Sequence, residues 1–258
     1  MSVLYQTTGI VLSRRDHKEV DRWYSVFTPD RGKVEFLARG GNKPLAKLTP
    51  HLESVAVVDL LLVYGRYYQT VAGVDRLRAY ERVRSDLSRQ VLAQNGLHLV
   101  DIGTRADEAD PYIYKLIELW LEFLDQDIVL TSERAGFLLG GFALKLLGLV
   151  GYHPELRNCL GCRLQIGAGQ YRWHGLRGGV VCSACAEGDQ QQWFSARPMT
   201  DEALKLVRFA LSEGFEAQLR PHLSGGDLTG FHEAVESLMI SHFPTIPASS
   251  LRGACRVC

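Results

Sequence analysis

The chain has 258 residues, of which 46% are hydrophobic and 22% are charged, a balance typical of a soluble globular protein and not of a disordered or fibrous one. At this length we expect two domains. Lysine and arginine together number 29, as do aspartate and glutamate, so the formal net charge is zero. Any nucleic-acid surface must therefore come from local segregation of charge and not from a bulk basic excess.

Neither a targeting segment nor a membrane span is predicted. The first residues, MSVLYQTTGIVL, contain no basic n-region and no small-residue cleavage site, so no signal peptide is expected. The most apolar run, residues 135–150, contains Lys145 and is shorter than the roughly 18 residues that would indicate a span. We therefore expect a cytoplasmic protein with reduced cysteines and no membrane partner.

The first 80 residues carry strand signals. Five short segments rich in β-branched or aromatic residues predict strands at 7–13, 22–28, 33–39, 55–64 and 69–77. In the third, Val34, Phe36 and Ala38 alternate with polar side chains, which is the period of a half-buried strand. Residues 28–32 (TPDRG) predict a tight turn, because proline fixes φ and glycine accepts a positive φ. Five strands suit a small closed barrel, and the OB-fold is the commonest candidate, although an SH3-like barrel has a similar pattern.

From residue 81 the apolar period becomes helical. The segments that predict helices are 87–102, 111–124, 132–150, 201–211 and 228–242. Asp110 and Thr200 suit N-caps, and Pro244 suits the end of the last helix. Residues 132–150 are apolar almost all round, which places that helix at the centre of a bundle. The prediction is an α+β protein with a five-stranded barrel, of OB-fold or SH3-like type, at 1–80 and a helical domain at 81–258.

Two Cys-x-x-Cys motifs interrupt the helical region. They are Cys159-Leu-Gly-Cys162 and Cys182-Ser-Ala-Cys185, and nineteen residues (163–181) separate them. The spacing matches a structural zinc site, because two tight turns each aim two thiolates at one point and together supply four tetrahedral ligands. With no open coordination position, one Zn²⁺ would be structural and not catalytic. Two disulfides are the alternative.

The block between the two motifs predicts a short β-hairpin. Tyr171, Trp173 and the pair Val180-Val181 are strand-forming residues, and Gly178-Gly179 leads into the second motif. A hairpin between two cysteine turns makes a zinc ribbon, inserted at about residues 155–190 of the helical domain.

A candidate nucleic-acid surface lies on the barrel. Between residues 31 and 47 one acid, Glu35, accompanies five basic residues, and two more arginines directly follow the first predicted strand. The basic candidates are Arg14, Arg15, Arg31, Lys33, Arg39, Lys43 and Lys47. Trp23 and Tyr24 lie on a neighbouring predicted strand, and Tyr67 and Tyr68 lie near them. Aromatic side chains in a basic groove suit single-stranded nucleic acid. The alternative is that the aromatics pack in the core and the basic residues form a solvated face.

Motifs for catalysis are absent from the sequence. It contains no Walker loop, no Gly-x-Ser-x-Gly and no His-Glu-x-x-His. Asp16, Glu19 and Asp21 beside His17 could hold a metal ion, as in a metal-dependent nuclease, but a charged turn between strands explains them better. A further pair, Cys255 and Cys258, supplies too few ligands for a zinc site and receives no role.

The order of features resembles the RecO family, the recombination mediators of bacterial DNA repair, across nearly the whole chain. The segments that carry the resemblance are Glu19-x-Asp21, Phe27-Thr28-x-x-x-Gly32-Lys33, Ala38-Arg39-Gly40-Gly41, the LLLVYG of residues 60–65, Phe142-x-Leu144-Lys145-Leu146-Leu147, Gly151-Tyr-x-Pro154 and Cys159-x-x-Cys162. Trp23, which is bulkier than the family's usual aliphatic residue, and the pair Cys255/Cys258 depart from the pattern.

The resemblance implies a non-catalytic, nucleoid-associated protein with an OB-fold followed by a helical domain that carries an inserted zinc site. Such a protein binds single- and double-stranded DNA and anneals complementary strands. With RecR it helps RecA replace the single-strand-binding protein SSB, whose acidic C-terminal tail it binds. In the family the DNA contacts map to the basic OB face, here Lys33, Arg39, Lys43 and Lys47. The rival hypothesis is a zinc-ribbon adaptor whose barrel binds protein.

Overall fold

Residues 4–243 are described by a computed structural model, in which the chain forms two compact units divided between Ile128 and Val129. The first unit contains a closed barrel of five strands in the order β1-β2-β3-β5-β4. Its strands are β1 (Leu4–His17), β2 (Asp21–Thr28), β3 (Gly32–Ala38), β4 (Ala56–Tyr64) and β5 (Gln69–Ala79). Four of the five pairings are antiparallel, and β3 pairs with β5 in parallel. This Greek-key order confirms the OB-fold.

The barrel interior is filled by apolar side chains, which alternate with less buried ones most clearly along β4. Tyr24 and Phe36 stack inside it with ring centroids 5.8 Å apart, and Val58, Leu60 and Leu62 on β4 are fully buried. The alternation that predicted β3 is therefore the alternation of interior and exterior faces. At the β2–β3 turn, Gly32 has φ +68, as the predicted tight turn requires.

Three helices follow the barrel within the same unit: α1 (Glu81–Ser85), α2 (Leu87–Gly103) and α3 (Pro111–Leu124). The Asp110 side chain accepts hydrogen bonds from the backbone N–H groups of Tyr112 and Ile113, so the predicted cap of α3 is confirmed. The buried Arg89 donates to the carbonyls of Leu124, Gln126 and Ile128 at the end of α3, which satisfies groups that a helix end leaves unpaired.

Helix α2 lies against the outside of the barrel. The Asp101 carboxylate accepts hydrogen bonds from the hydroxyls of Ser13 on β1 and Ser25 on β2, each at 2.7 Å. The compact unit therefore extends to Ile128, beyond the predicted barrel domain of residues 1–80. The helices α1–α3 fold with the barrel, because one face of α2 closes over its outer surface.

The second unit is built around α4 (Ser132–Leu149), which is buried on nearly every side by α6 (Asp201–Ser212) and α7 (Gly225–His242). The central position predicted for this helix is confirmed. Its one lysine, Lys145, donates from Nζ to the Leu211 carbonyl at the end of α6 over 2.9 Å, and burial lowers the pKa of that amine. The polar residue in the apolar run thus caps a neighbouring helix.

A small sheet of three strands lies between α4 and α6 in the chain. Its strands are β6 (Tyr171–His174), β7 (Gly179–Cys182) and β8 (Arg197–Pro198), in the order β7-β6-β8, and the short helix α5 (Ser183–Gly188) follows β7. The antiparallel pairing of Tyr171 with Cys182 and of Trp173 with Val180 confirms the predicted hairpin. No helix in the part of the chain that is described is long and apolar enough to cross a membrane.

Candidate functional site

The predicted basic loop follows β3 and is fixed at its start to the β1–β2 turn. The Gly40 N–H donates to the Asp21 carboxylate at 2.8 Å, and the Asn42 N–H donates to the Val20 carbonyl at 2.9 Å. Gly40 has φ +67, a conformation that glycine adopts without strain. The backbone from residue 39 to 42 is therefore held in one place beside the barrel rim, and the basic side chains around it project from a positioned loop.

The charges of this loop are exposed and uncompensated. Arg39, Lys43 and Lys47 are all exposed, and no carboxylate of residues 4–243 lies within ion-pair distance of any of them. The single acid of the segment, Glu35, instead pairs with Arg15 at 3.8 Å. An exposed group of three cations without counter-charges is the kind of surface that binds phosphates and releases condensed counterions.

An aromatic cluster lies on the barrel exterior around Trp23. The Tyr68 ring meets Trp23 edge-on with centroids 5.7 Å apart, and His17 meets it edge-on at 6.0 Å. The Arg15 guanidinium lies over the Trp23 ring at 5.7 Å from its centroid. The register explains this arrangement, because Trp23 pairs with Arg15 on β1 and with Leu37 on β3, and β3 pairs with the start of β5 just after Tyr68.

Tyr24, the other predicted stacking residue on β2, does not belong to this surface. Its side chain is 1% exposed and stacks on Phe36 inside the barrel, so the prediction of a nucleic-acid contact was wrong. Adjacent residues of a strand face opposite sides of the sheet, and Trp23 occupies the outward position. The alternative interpretation, core packing, holds for Tyr24.

The Lys33 side chain is also largely buried. Its side chain is 14% exposed, its Nζ donates to the Asp101 carbonyl, and the Asp101 carboxylate lies 3.7 Å away. Lys33 therefore fixes α2 to β3 and contributes little free charge to the basic face. The sequence could not indicate this, because Asp101 lies 68 residues away along the chain.

The remaining basic candidates are divided among different places. Arg15 belongs to the Trp23 cluster. Arg31 lies at the other end of β3, over the Tyr5 ring at 4.2 Å and beside Asp30 at 3.6 Å. Arg14 points to the opposite side of β1 from its neighbour Arg15. It lines a separate cavity of about 230 Å³ together with Glu53 and residues of α1 and α2. The structure thus brings together Arg15, Trp23 and Tyr68, with the basic loop at the adjoining rim.

The acidic turn between β1 and β2 is not a metal site in the part of the chain that is described. Asp16 pairs with Arg22 at 2.9 Å, and Asp21 accepts the Gly40 N–H. Over residues 4–243 the only group of three or more potential metal ligands is the cysteine cluster. The interpretation of these acids as a charged turn is supported by their contacts.

The four cysteines Cys159, Cys162, Cys182 and Cys185 form one cluster, with all sulfur atoms within 4.8 Å of one another. They are free thiols, which is inconsistent with the alternative of two disulfides. The Cys162 and Cys182 sulfurs lie 3.9 Å apart, close to the ~3.8 Å that a tetrahedron with 2.3 Å metal–sulfur bonds requires. The donor set and its geometry fit a metal ion. Cys255 and Cys258 lie outside the described residues.

Backbone groups around the cluster favour thiolates. The N–H groups of Cys182 and Gly161 donate to the Cys159 sulfur at 3.2 and 3.3 Å. Burial opposes ionisation of Cys159, but these donors outweigh it and lower its pKa to about 6. The Cys182 thiol, ahead of burial, raises the pKa of Cys185 to about 12. Such close sulfurs cannot all ionise unless a cation lies between them.

An apolar layer supports the cysteine cluster. Cys159, Val181, Trp193 and Ala196 are buried together beneath it. His174, at the end of β6, is not a ligand in this arrangement, because its Nδ1 accepts the Arg177 N–H at 3.2 Å and its Nε2 lies 3.0 Å from the Ser195 hydroxyl. Both ring nitrogens are therefore used in local hydrogen bonds.

Comparison with known proteins identifies both parts of the chain. Residues 1–80 match the family model described as Recombination protein O N terminal, and residues 84–221 match Recombination protein O C terminal. The chain is 30% identical to the DNA repair protein RecO of Geobacter sulfurreducens over 80% of each protein.

Two other relatives have the same name. The DNA repair protein RecO of Roseiflexus sp. is 29% identical over 83% of this chain and 72% of its own length. That of Symbiobacterium thermophilum is 31% identical over 71% of this chain and 72% of its own length. Together with the two family models, these matches show that the chain belongs to the RecO family of DNA repair proteins.

Proposed function

We propose that this protein is a recombination mediator that binds single- and double-stranded DNA through the exterior of its OB barrel and anneals complementary strands. The observation that carries the proposal is the juxtaposition of uncompensated cations with a partly exposed aromatic cluster. Arg39 and Lys43 project from a loop tied to the β1–β2 turn, and Trp23 lies on the strand that leaves the same turn. The proposed function requires no catalytic step.

The two parts of this surface supply different interactions. Phosphate contacts from the loop are independent of sequence and are weakened by salt. Tyr68, which is 39% exposed, and the half-buried Trp23 offer ring surface on which bases of any identity can stack, at roughly 1–3 kcal/mol per base. Annealing needs both properties, because the protein must neutralise two strands without reading the sequence of either.

The cysteine cluster is proposed to hold one structural Zn²⁺. Four sulfur donors leave no open position for substrate or water, and the ribbon has only a small apolar layer of its own. Zinc would close the loop from Cys159 to Cys185 and so stabilise the second unit. No step of the proposed activity takes place at the metal.

Protein partners complete the proposal. The RecO assignment supports a role with RecR in loading RecA, indirectly, onto single-stranded DNA covered by SSB. We propose that the helical region docks RecR and the acidic C-terminal tail of SSB, whereas residues 1–80 supply the DNA surface. The site of action is the nucleoid, in the cytoplasm.

The proposal is tested by reversing charge in the basic loop. The double substitution Arg39→Glu and Lys43→Glu should weaken binding of single-stranded DNA at least tenfold at moderate salt, because attraction to phosphate becomes repulsion. Far-UV circular dichroism should not change, since both side chains are exposed. Binding is measured by fluorescence anisotropy of a labelled oligonucleotide.

The matched control is Arg105→Glu with Lys115→Glu, which changes the net charge equally at exposed positions outside the loop. The control should lose only the small affinity that a change of net charge produces. Equal losses in the two double variants, or no loss in either, would remove the loop from the site. Failure of the wild-type protein itself to bind the oligonucleotide would favour the adaptor hypothesis, in which the barrel binds protein.

A further inference from the structure

The hairpin between β4 and β5 presents an aromatic residue that the fold does not use. Its four connecting residues are 65–68, and the Gly65 N–H donates to the Tyr68 carbonyl at 3.0 Å. Tyr67 at the tip is 81% exposed, so its ring contributes almost nothing to the barrel core. Loops held by a rigid scaffold are common positions for binding residues, and an aromatic ring with so little burial is available for such a contact.

The hairpin has a fixed conformation at its base. A Cβ atom on Gly65 would lie 2.7 Å from the Tyr68 carbonyl oxygen, so the two sides of the turn approach as closely as glycine allows. Tyr68 in turn meets Trp23 edge-on. The tip is therefore adjacent in the chain to the aromatic cluster of the proposed DNA surface, and it projects from a strand pair that continues into the barrel.

One face of the Tyr67 ring is already occupied. The Arg66 guanidinium lies over it, 5.3 Å from the ring centroid. A ring with a cation on one face and solvent on the other can stack on a single base or base pair, at the end of a stack. It cannot lie between two successive bases unless Arg66 moves away. The cation beside it is placed to meet the phosphate next to that terminal base.

We propose that the Tyr67 hairpin caps the end of a base-paired stack, so that the protein prefers a junction between double- and single-stranded DNA. The single strand would run over the Trp23 cluster and the basic loop, and the terminal base pair would meet Tyr67. Such a junction is what an annealing protein creates as two strands begin to pair. The inference rests on the proposed DNA-binding function and adds the form of DNA that the hairpin recognises.

The test compares wild-type protein with Tyr67→Ala on three DNA probes of equal nucleotide count: a single strand, a blunt duplex and a duplex with one single-stranded arm. We expect wild type to bind the armed duplex more tightly than either other probe. Tyr67→Ala should reduce affinity for the armed duplex about tenfold, while affinity for the single strand changes less than threefold. Loss of one stacked ring corresponds to roughly this factor.

Two variants control the interpretation. Tyr67→Phe keeps the ring and should keep the preference, whereas Tyr112→Ala removes another exposed tyrosine, 72% exposed on α3, and should have no effect. 2-Aminopurine placed at the terminal pair reports stacking directly, and its fluorescence should be quenched by wild type and not by Tyr67→Ala.

The outcomes separate this inference from the proposed function. If wild type binds single strands in a salt-dependent manner but Tyr67→Ala behaves as wild type on the armed duplex, the junction inference is overturned and the DNA surface stands. If wild type binds none of the three probes, the proposed function itself fails. Equal loss on all three probes would also overturn the junction inference, because the ring would then serve single strands generally.

Discussion

At the scale of single residues, Gly32 shows how closely the barrel and the segment after α2 are fitted. It has φ +68, and a Cβ atom at this position would lie 1.9 Å from the Glu108 carbonyl oxygen. The next residue, Lys33, accepts the Asp107 N–H on its carbonyl at 3.0 Å. The turn, the loop after α2 and the start of β3 therefore share one space that only glycine leaves open.

We expect Gly32→Ala to lower the free energy of unfolding by about 2 kcal/mol or more, because it combines a left-handed backbone with a clash against main-chain atoms. Gly73→Ala on β5 is the control, since a Cβ there meets Leu61 at an ordinary 3.5 Å. Urea unfolding followed by tryptophan fluorescence measures both. A Gly32→Ala protein as stable as Gly73→Ala would contradict the close approach seen here.

The exposure of individual side chains could not be predicted from the sequence. Lys33 and Lys43 have the same chemistry and lie ten residues apart, yet one is held by Asp101 and the other is exposed. Trp23 and Tyr24 are adjacent in the chain, but the Trp23 side chain lies on the barrel exterior and the Tyr24 side chain lies in its interior. Which of two adjacent aromatics faces outward depends on the strand's register against β1 and β3, and a sequence pattern fixes that only where polar and apolar residues alternate clearly. In β2 they do not.

At the scale of elements, the cysteine ribbon was predictable because the spacing of its four cysteines is specific to a tetrahedral metal site. The spacing of the two cysteine turns predicts the cluster, and the residues between them predict β6 and β7. The short third strand, β8, carries no pattern, since two residues are too few to show a period.

Removal of metal by a chelator should lower the melting temperature of the protein by several degrees without abolishing DNA binding, because the proposed DNA surface lies on the barrel. Adding zinc back at pH 7 should release fewer protons than there are thiols. Burial and N–H donors leave the pKa of Cys159 at about 6, so it is mostly ionised already, whereas the raised pKa of Cys185, about 12, means that its proton must leave.

Differential scanning fluorimetry and a pH-indicator titration make these two measurements. A chelated protein that melts at the same temperature would contradict the structural role of the metal. Cys162→Ser should reproduce the destabilisation, and added zinc should not fully reverse it. Complete recovery by zinc would mean that three sulfurs are sufficient.

Helix boundaries were predictable where a cap and an apolar run coincide. Thr200 accepts the Ala203 N–H at the start of α6, as expected. The last helix, α7, begins at Gly225, three residues before its predicted start, and Ser224 caps it. The first turn was missed because it contains two glycines, which have a low helix propensity. Strand β1 runs to His17, beyond its predicted end at residue 13, because its exposed polar residues pair with β2 without showing a period. Pro244 lies outside the described residues.

At the scale of the whole molecule, a net charge of zero does not mean that positive and negative side chains are paired everywhere on the surface. Within the described part of the chain, six of the twelve arginines of the barrel unit pair with a carboxylate, such as Arg22 with Asp16 and Arg78 with Glu122. The loop cations are not compensated among residues 4–243. The proposed DNA binding therefore depends on where acids are missing and not on an excess of basic residues, and composition alone could not locate such a surface.

The central claim is that the exterior of the barrel binds single-stranded DNA through several phosphate contacts. It is tested most directly by the anisotropy of a labelled oligonucleotide titrated with wild-type protein at several salt concentrations. Contacts from Arg15, Arg39, Lys43 and Lys47 predict a slope of log affinity against log salt of about −3, at roughly 0.7 per phosphate contact. No binding at low salt, or binding that salt does not weaken, would contradict the claim.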